Sequence, residues 1–399
     1  MRVKQGVPLL SAKNISASGI IEWNETDDRI SLSEYRQIHK FFQLQKGDLL
    51  LTIVGSLGRR AIYKGEFVTF QRSVAYIRPN TNKVSERFLF HWFWHESFYQ
   101  DLICRSNATA QAGLYLGELA KTNVPDCPRQ EQDTIADILD TLDTTIRQTE
   151  AIIAKLQQVK QGLLHDLLTR GIDANSQLRP PVEQAPHLYK ESPLGWIPRE
   201  WEVKDLSTTC EYIVDCPHST PNFRDDGVLV ARTMHIKEGE FYITEASKVS
   251  EKEYLKRIAR LKPTAGDVVF TREAPVGEAF VIPIGMNICL GQRVMLLRPR
   301  YGVLQSDFLL AQIYSGAVKE RIATLTAGTT NPHLNVSEVK IFEIPLPPYE
   351  EQEAISANIE GISRRQRREH SKLEKLTKAK SALMDDLLTG RVRVTALLS

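Results

Sequence analysis

The sequence predicts an α+β protein: two mixed α/β heads, each followed by a long helix, with the two helices packed on one another. Three observations lead there. The chain repeats itself, so that Asp166-Leu167-Leu168-Thr169 recurs 220 residues later as Asp386-Leu387-Leu388-Thr389, and self-similarity at a fixed spacing marks a duplicated architecture. The stretches leading to those tetrapeptides carry apolar residues at three- and four-residue steps, the period of an amphipathic helix. The stretches before them are short, β-branched, apolar runs bounded by Gly or Pro, which read as strands.

The first head, 1–127, contains the strand-like runs Leu49–Val54 and Val68–Ile77 and a helical stretch, Glu86–Cys104. The first long helix, 128–171, opens on Pro128-Arg129-Gln130-Glu131, where proline and an acidic first turn suit a helix start, and closes at Gly171. Its stripe is Ile135, Ile138, Leu142, Ile146, Ile153, Leu156, Leu163 and Leu167. Residues 172–198 read as linker and lead-in, with Ala174–Pro198 rich in Pro, Ser and Gln.

The second head, 199–346, repeats the first more loosely. Gly47-Asp48-Leu49-Leu50 matches Gly266-Asp267-Val268-Val269, and Gly58 matches Gly277. Gln71-Arg72-Ser73-Val74 pairs with Gln292-Arg293-Val294-Met295, Ile77-Arg78-Pro79 with Leu297-Arg298-Pro299, and Phe88-Leu89 with Phe308-Leu309. Val268–Thr271 and Val294–Arg298 read as strands and Ser306–Ala323 as helix. The second long helix, 347–391, opens on Pro348-Tyr349-Glu350-Glu351 and closes at Gly390, with the stripe Ile355, Ile359, Ile362, Leu373, Leu376, Leu383 and Leu387 interrupted by Gln366 and Glu369. Two such stripes in one chain are buried most economically against each other, as an intramolecular coiled coil. Packing of each helix on its own head, or pairing between two copies of the chain, stay open at this point.

The composition narrows function. With 51 Lys+Arg against 49 Asp+Glu the formal charge is only +2, so nonspecific coating of nucleic acid is excluded and any DNA-binding groups are concentrated locally. The five cysteines form no CxxC pair. Cys210, Cys216 and His218 match no common zinc spacing, and free buried thiols in a reducing cytosol are the reading. No apolar run approaches bilayer length and no signal peptide is recognisable, which makes the cytoplasm the expected location. Catalytic motifs fail on inspection. There is no Gly-Lys dipeptide for a P-loop. Leu346-Pro347-Pro348-Tyr349 lacks the amide of an adenine methyltransferase motif, and Glu338-Val339-Lys340 lacks the upstream Pro-Asp of a nuclease.

The pattern resembles the specificity subunit of type I restriction–modification systems. The resemblance rests on the two Pro-x-x-Glu-Gln helix openings (Pro128–Gln132, Pro348–Gln352) and the two Leu-Leu-Thr endings. It rests also on Ser192-Pro193-Leu194-Gly195-Trp196-Ile197-Pro198 with Trp201-Glu202-Val203, and on Ala327-Gly328-Thr329-Thr330-Asn331-Pro332-His333-Leu334 ahead of the second helix. It implies two target-recognition domains alternating with two helices that pair as an antiparallel coiled coil of roughly 60 Å, each domain over one half of an asymmetric, bipartite site. It implies no enzymatic activity and no cofactor in this chain. The partners it implies are double-stranded DNA, two modification (methyltransferase) subunits that bind S-adenosylmethionine, and restriction subunits. One departure stands out: about forty residues, His187–Asp226, precede Gly227-Val228 in the second head, whereas the first head begins at Gly6-Val7. A lead-in expected by symmetry is missing, and a helical scaffold with a non-reading first head is the alternative function.

DNA contact needs Arg or Lys on phosphates and Arg, Gln, Asn, Ser or Thr at base edges, supplied by loops. The candidates in the first head are Lys13, Asn14, Arg59, Arg60, Gln71, Arg72, Asn107 and Gln111. In the second they are His218, Ser219, Thr220, Arg232, His235, Lys237, Arg272, Arg293, Thr329, Thr330, Asn331 and His333. A buried structural role is the competing reading for Arg72 and Arg293, which follow Gln in apolar segments. For the basic run Arg364-Arg365-Gln366-Arg367-Arg368 a solvated helix face is the reading.

Overall fold

The computed structural model describes residues 2–40, 43–106, 113–328 and 332–397, and both apolar stripes are single helices, Arg129–Thr169 and Tyr349–Leu388. By internal packing the chain falls into two units, Met1–Ile152 with Glu369–Ser399, and Ile153–Arg368. Each unit therefore holds one head, the start of the helix that follows it and the end of the other helix. Within the first unit, Ile135 and Leu139 pack with Met384, Leu387 and Leu388, and Asp143 pairs with Lys380. Within the second, Leu167 and Leu168 pack with Ile355. Start lies against end in both, so the helices run antiparallel.

In the first unit Leu49-Leu50-Leu51 form the centre of the head. The strand Leu49–Thr52 lies between Arg60–Ile62 and Val74–Ile77, all antiparallel. Side chains alternate across a strand, so Leu49 and Leu51 enter the core facing the helices while Leu50 enters a second one with Leu10, Ala61 and Val68. Each such side chain contributes roughly 1.5–3 kcal/mol, which is why Leu49, Leu50 and Leu51 are apolar on both faces of the strand. A second three-stranded sheet orders Arg29–Ile30, Arg2–Leu10 and Thr69–Phe70.

The second unit repeats this frame with additions. Val268–Thr271 lies between Ala279–Val281 and Val294–Pro299, and a fourth strand, Cys210–Asp215, pairs with the outer side of Val294–Pro299. A second sheet runs Phe223–Arg224, Lys248–Val249, Val228–Ala231, Ile288–Leu290. Glu202–Asp205 pairs with Glu343–Leu346 just ahead of the second long helix.

The repeated motifs have definite tasks. Gln132 accepts from Ser85 N (2.8 Å) and donates to Lys83 O and Cys127 O; Gln352 accepts from Gln305 N (2.9 Å) and donates to Val303 O and Pro347 O. Each glutamine thus fastens the start of a long helix to the N-terminus of a shorter one in its head, Glu86–Trp92 in the first and Ser306–Ile313 in the second. The neighbouring glutamate receives the end of the other long helix. Glu131 accepts from Arg393 Nε (2.7 Å) and Nη2 (2.6 Å), which hold its carboxyl below the usual range. Glu351 accepts from Arg179, from Ile172 N (2.9 Å) and from Trp201 Nε1 (3.1 Å).

Three expectations are corrected. Val68–Ile77 is two strands, Thr69–Phe70 and Val74–Ile77, separated by a turn at Gln71–Ser73. Glu86–Cys104 is two helices, Glu86–Trp92 and Glu96–Arg105, the second started by the His95 ring accepting from Ser97 N, and its counterpart Ser306–Ala323 is likewise two, Ser306–Ile313 and Gly316–Thr326. The segment read as linker is folded: Tyr189–Ser192 and Gly195–Pro198 form a hairpin around Pro193-Leu194, with Gly195 at φ +88. Arg179 in the same segment is buried on Glu351. A positive φ is what glycine permits, and that turn was the signal in the sequence.

Candidate nucleic-acid interface

In the second head, three loops meet beyond the end of strand Val268–Thr271. Arg272 N donates to Arg293 O (3.0 Å), and Leu334 N donates to Arg272 O (2.8 Å). Glu273 and His333 form an isolated bridge. The adjacent strand Cys210–Asp215 delivers a fourth loop. This architecture brings His218, Thr220, Arg272, Arg293 and His333 together. Asp215 lies 3.1 Å from Arg272 Nε and 3.2 Å from His218 Nε2, and Glu273 lies 3.1 Å from Arg293 Nε. Gln292 donates to Thr220 Oγ1 at 3.0 Å. Ser219 is held behind them by the buried Arg257, which donates to its carbonyl at 2.7 Å.

Exposure separates presenters from supports. The side chains of His218 and Arg293 are 64% and 58% exposed, whereas that of Arg272 is 11% exposed. Exposed ion pairs are worth about 0–1 kcal/mol, so Arg293 can exchange Glu273 for a phosphate or a guanine edge at little cost. Arg272 instead orients Asp215. Arg293 sits in a turn at φ +68 and Arg72 in the turn at Gln71–Ser73; both are exposed, so the buried structural reading of this pair does not hold. The residues missed by sequence reasoning are Asp215, Glu273 and Gln292. Only Gln292 carried a signal, as the neighbour of Arg293 in the repeat.

The other second-head candidates lie apart. Arg232 spreads over Phe223 (4.6 Å) and donates to Ser247. Lys237 is exposed beside Glu238 at the hairpin Ile236–Lys237/Glu240–Phe241. His235 is buried, and burial lowers its pKa, so it is a neutral group of the core and not a surface contact. Thr329, Thr330 and Asn331 lie outside the described residues.

In the first head the loops around Lys13, Arg59 and Arg72 meet. Arg59 donates to Ile15 O (3.2 Å), and Ala12 N donates to Ser73 Oγ (3.1 Å). Lys13 pairs with Asp27 at 2.7 Å; the hydrogen bond from Lys13 is the main cause that lowers the Asp27 carboxyl to about 2. Gln71 is half-buried, its backbone N–H donating to Leu10 O at 2.7 Å. Two candidates are corrected. Asn14 is buried, its amide closing the turn onto Glu22 O and Ser11 N. Arg60 is buried over Trp94 (3.7 Å) and Phe90, and burial pulls its guanidinium down to about 9. Neither is presented at the surface. Asn107 and Gln111 lie outside the described residues.

The strand registers also shift one sequence match. Thr52 pairs with Val74, and Thr271 pairs with Val294, so Ser73 is the counterpart of Arg293 and Arg72 that of Gln292. Matching the two Gln-Arg pairs, as the residue types suggest, is wrong by one position.

The cysteines take no part. Burial pushes the Cys210 and Cys289 thiols up to about 12 and raises Cys216, while Cys104 is exposed. Among the described residues no three His, Cys, Asp or Glu are grouped to hold a metal, and no helix is long and apolar enough to cross a membrane.

Duplicated α+β heads with loop-borne polar clusters and intervening long helices define a DNA-recognition class without a catalytic centre of its own. The family described as "Type I restriction modification DNA specificity domain" matches residues 4–158 and 198–378, and the chain belongs to it. It is 26% identical to the putative type I restriction enzyme MjaX specificity subunit of Methanocaldococcus jannaschii, over 98% of this chain and 88% of that one. It is 21% identical to the EcoBI specificity subunit of Escherichia coli, over 90% and 73%. The fold is shared with the crystal structure of a type I restriction–modification S subunit from M. genitalium (TM-score 0.60, 12% identity, 97% and 93% covered).

Proposed function

We propose that the chain reads an asymmetric, bipartite DNA site, one half with each head, and positions methyltransferase subunits over it, with restriction subunits joining for cleavage, in the cytoplasm. The observation that carries this is the pairing of one backbone frame with two sets of side chains. Arg272, Glu273 and Arg293 occupy the positions of Ile53, Val54 and Ser73. Identical heads would read identical half-sites; these differ where base edges are contacted. In the second head Arg293 and His218 make the contacts with Thr220 and His333, and Arg272 positions them. In the first, Lys13, Arg59 and Arg72 do so.

The family's relatives are named as specificity subunits, which supports assembly with partners that supply the chemistry and the S-adenosylmethionine. The test is to co-express the chain with its methyltransferase in a methylation-free host and map modified adenines. The expected result is a split motif of two unlike halves at fixed spacing, with fewer fixed bases in the half read by the first head. A palindromic or one-part motif contradicts the reading.

A further inference from the structure

The loop Pro217–Thr220 presents His218 and Thr220 yet belongs to no strand or helix, so its position rests on side chains that reach it from elsewhere. One of these is Arg257, the last residue of the helix Glu251–Arg257, whose side chain is 1% exposed. Its Nε donates to Glu253 Oε1 (3.0 Å), one turn back, its Nη1 to Leu290 O (3.1 Å) and its Nη2 to Ser219 O (2.7 Å). Leu290 ends the strand Ile288–Leu290, three residues ahead of Arg293, and Ser219 lies between His218 and Thr220. One planar guanidinium thus holds the roots of both presenting loops.

The Leu290 end of this brace is fixed. Leu290 pairs with Ala231, Gly291 N donates to Ala231 O (2.8 Å), and a Cβ at Gly291 would stand 2.6 Å from that oxygen. The fold of the helix does not itself call for the charge. Burying a guanidinium costs free energy unless its donors are satisfied, and apolar residues of similar volume in place of a buried pair are often no less stable. The first head shows that alternative. Its helix Leu32–Ile38 carries Ser31, Glu34 and Tyr35 at the spacing of Ser250, Glu253 and Tyr254, and each serine accepts from the glutamate N–H. Ile38 stands where Arg257 stands. The charge is accounted for by what it holds.

We propose that Arg257 is a positioning residue that determines specificity in the second head. It sets the spacing between the His218–Thr220 loop and the Arg293 turn, so that both reach the base edges in one register, while its own side chain stays behind them in the interior. Binding groups need to be held to within about 0.5 Å of their contact geometry. From the more exposed side Gln292 supplies one hydrogen bond to Thr220 Oγ1 (3.0 Å) and a long one to His218 O (3.4 Å), which leaves the loop backbone to Arg257. The proposal deepens the DNA-reading function and rests on it: the fixed bases of one half-site are assigned jointly to two loops joined from behind.

The test maps modified adenines for variants of the full chain in complex with the methyltransferase, beside thermal unfolding of each variant. Glu253→Met/Arg257→Met removes the buried pair and the brace together and is expected to melt with the parent chain. In the half of the motif that Arg293→Ala degrades, its preference for the fixed bases is expected to fall about tenfold, with the other half and the spacing unchanged. Arg257→Lys keeps the charge beside Glu253, but a point charge cannot span two carbonyls as the planar fork does, so the same half is expected to relax. A motif that stays whole in both variants while Arg293→Ala degrades it overturns the proposal and leaves the DNA-reading function standing. A motif kept whole by Arg257→Lys alone also overturns it, because the charge and not the fork is then the cause. Relaxation of both halves, or relaxation only where the melting temperature falls, marks a structural role and overturns it as well. If Arg293→Ala leaves the motif intact too, reading by this cluster fails and the brace fails with it.

Discussion

Thr271 of the second head is followed by Arg272 and Glu273; Thr52 of the first is followed by Ile53 and Val54. The threonines do the same work, each hydroxyl donating across its turn, to Pro275 O and to Ser56 O, and each accepting from the residue seven positions on. The aspartates of the frame also agree: Asp48 takes Arg78 Nε at 2.8 Å and Asp267 takes Arg298 Nε at 2.7 Å. Divergence begins one residue beyond the strand, where the backbone no longer needs a given side chain. The comparison teaches that the frame is held by a few buried polar anchors, leaving the loop ends free to vary.

The largest effect expected from breaking the frame is at the helix junctions, and it is unequal between the units. Glu351→Ala leaves the indole N–H of Trp201 without its acceptor and the buried guanidinium of Arg179 with only the exposed Glu200 carboxylate and the Arg170 carbonyl, and removing one partner of a buried pair costs about 3–5 kcal/mol. Glu131→Ala strands Arg393, whose side chain is 53% exposed and can turn to water. Thermal unfolding of the two variants is expected to show the larger loss for Glu351→Ala, and equal losses would mean that the junctions are alike.

A smaller effect separates the heads by pH. Asp27 is held at about 2 against an ordinary value of 3.8 by Lys13. A depressed carboxylate pKa contributes stability above the ordinary value and loses it as pH falls through the folded one. The melting-temperature difference between the chain and Asp27→Asn is therefore expected to be full above about pH 4 and to vanish towards pH 2. A difference that persists at pH 2 would show that the pair is not its source.

The smallest effect is expected at the basic run. Arg367 is already engaged by Glu240 (2.9 Å) and Glu360 (2.6 Å), and Arg364, Arg365 and Arg368 are exposed on the helix. Replacing these last three by Gln is expected to leave the salt dependence of DNA binding unchanged. A flatter slope would assign them to phosphates.

Much of this was legible in the sequence because the duplicated parts are those that pack. The Glu-Gln helix openings and the Leu-Leu-Thr endings recur since each meets its counterpart's partner in the same way. The site was less legible. Residue type marked Arg272, Arg293 and His218, but Arg60 and Asn14 are of the same types and point inward, a distinction made by Trp94 and by the turn at Glu22, distant in sequence or set by local folding. The acids Asp215 and Glu273 look like ordinary loop carboxylates until two loops meet. The Gln-Arg mismatch arose because one residue is gained between Gly277 and Val294 relative to the first head, which periodicity in short strands cannot register.

The central claim is that each head reads its own half-site with its own loops. Its most direct test is to map modified adenines for the Arg272→Ala/Arg293→Ala variant in complex with the methyltransferase. Loss of a bidentate arginine contact is worth about 1–3 kcal/mol of base discrimination, so one half of the motif is expected to become degenerate while the other half and the spacing stay as they were. Degeneracy in both halves, or in neither, would contradict the account.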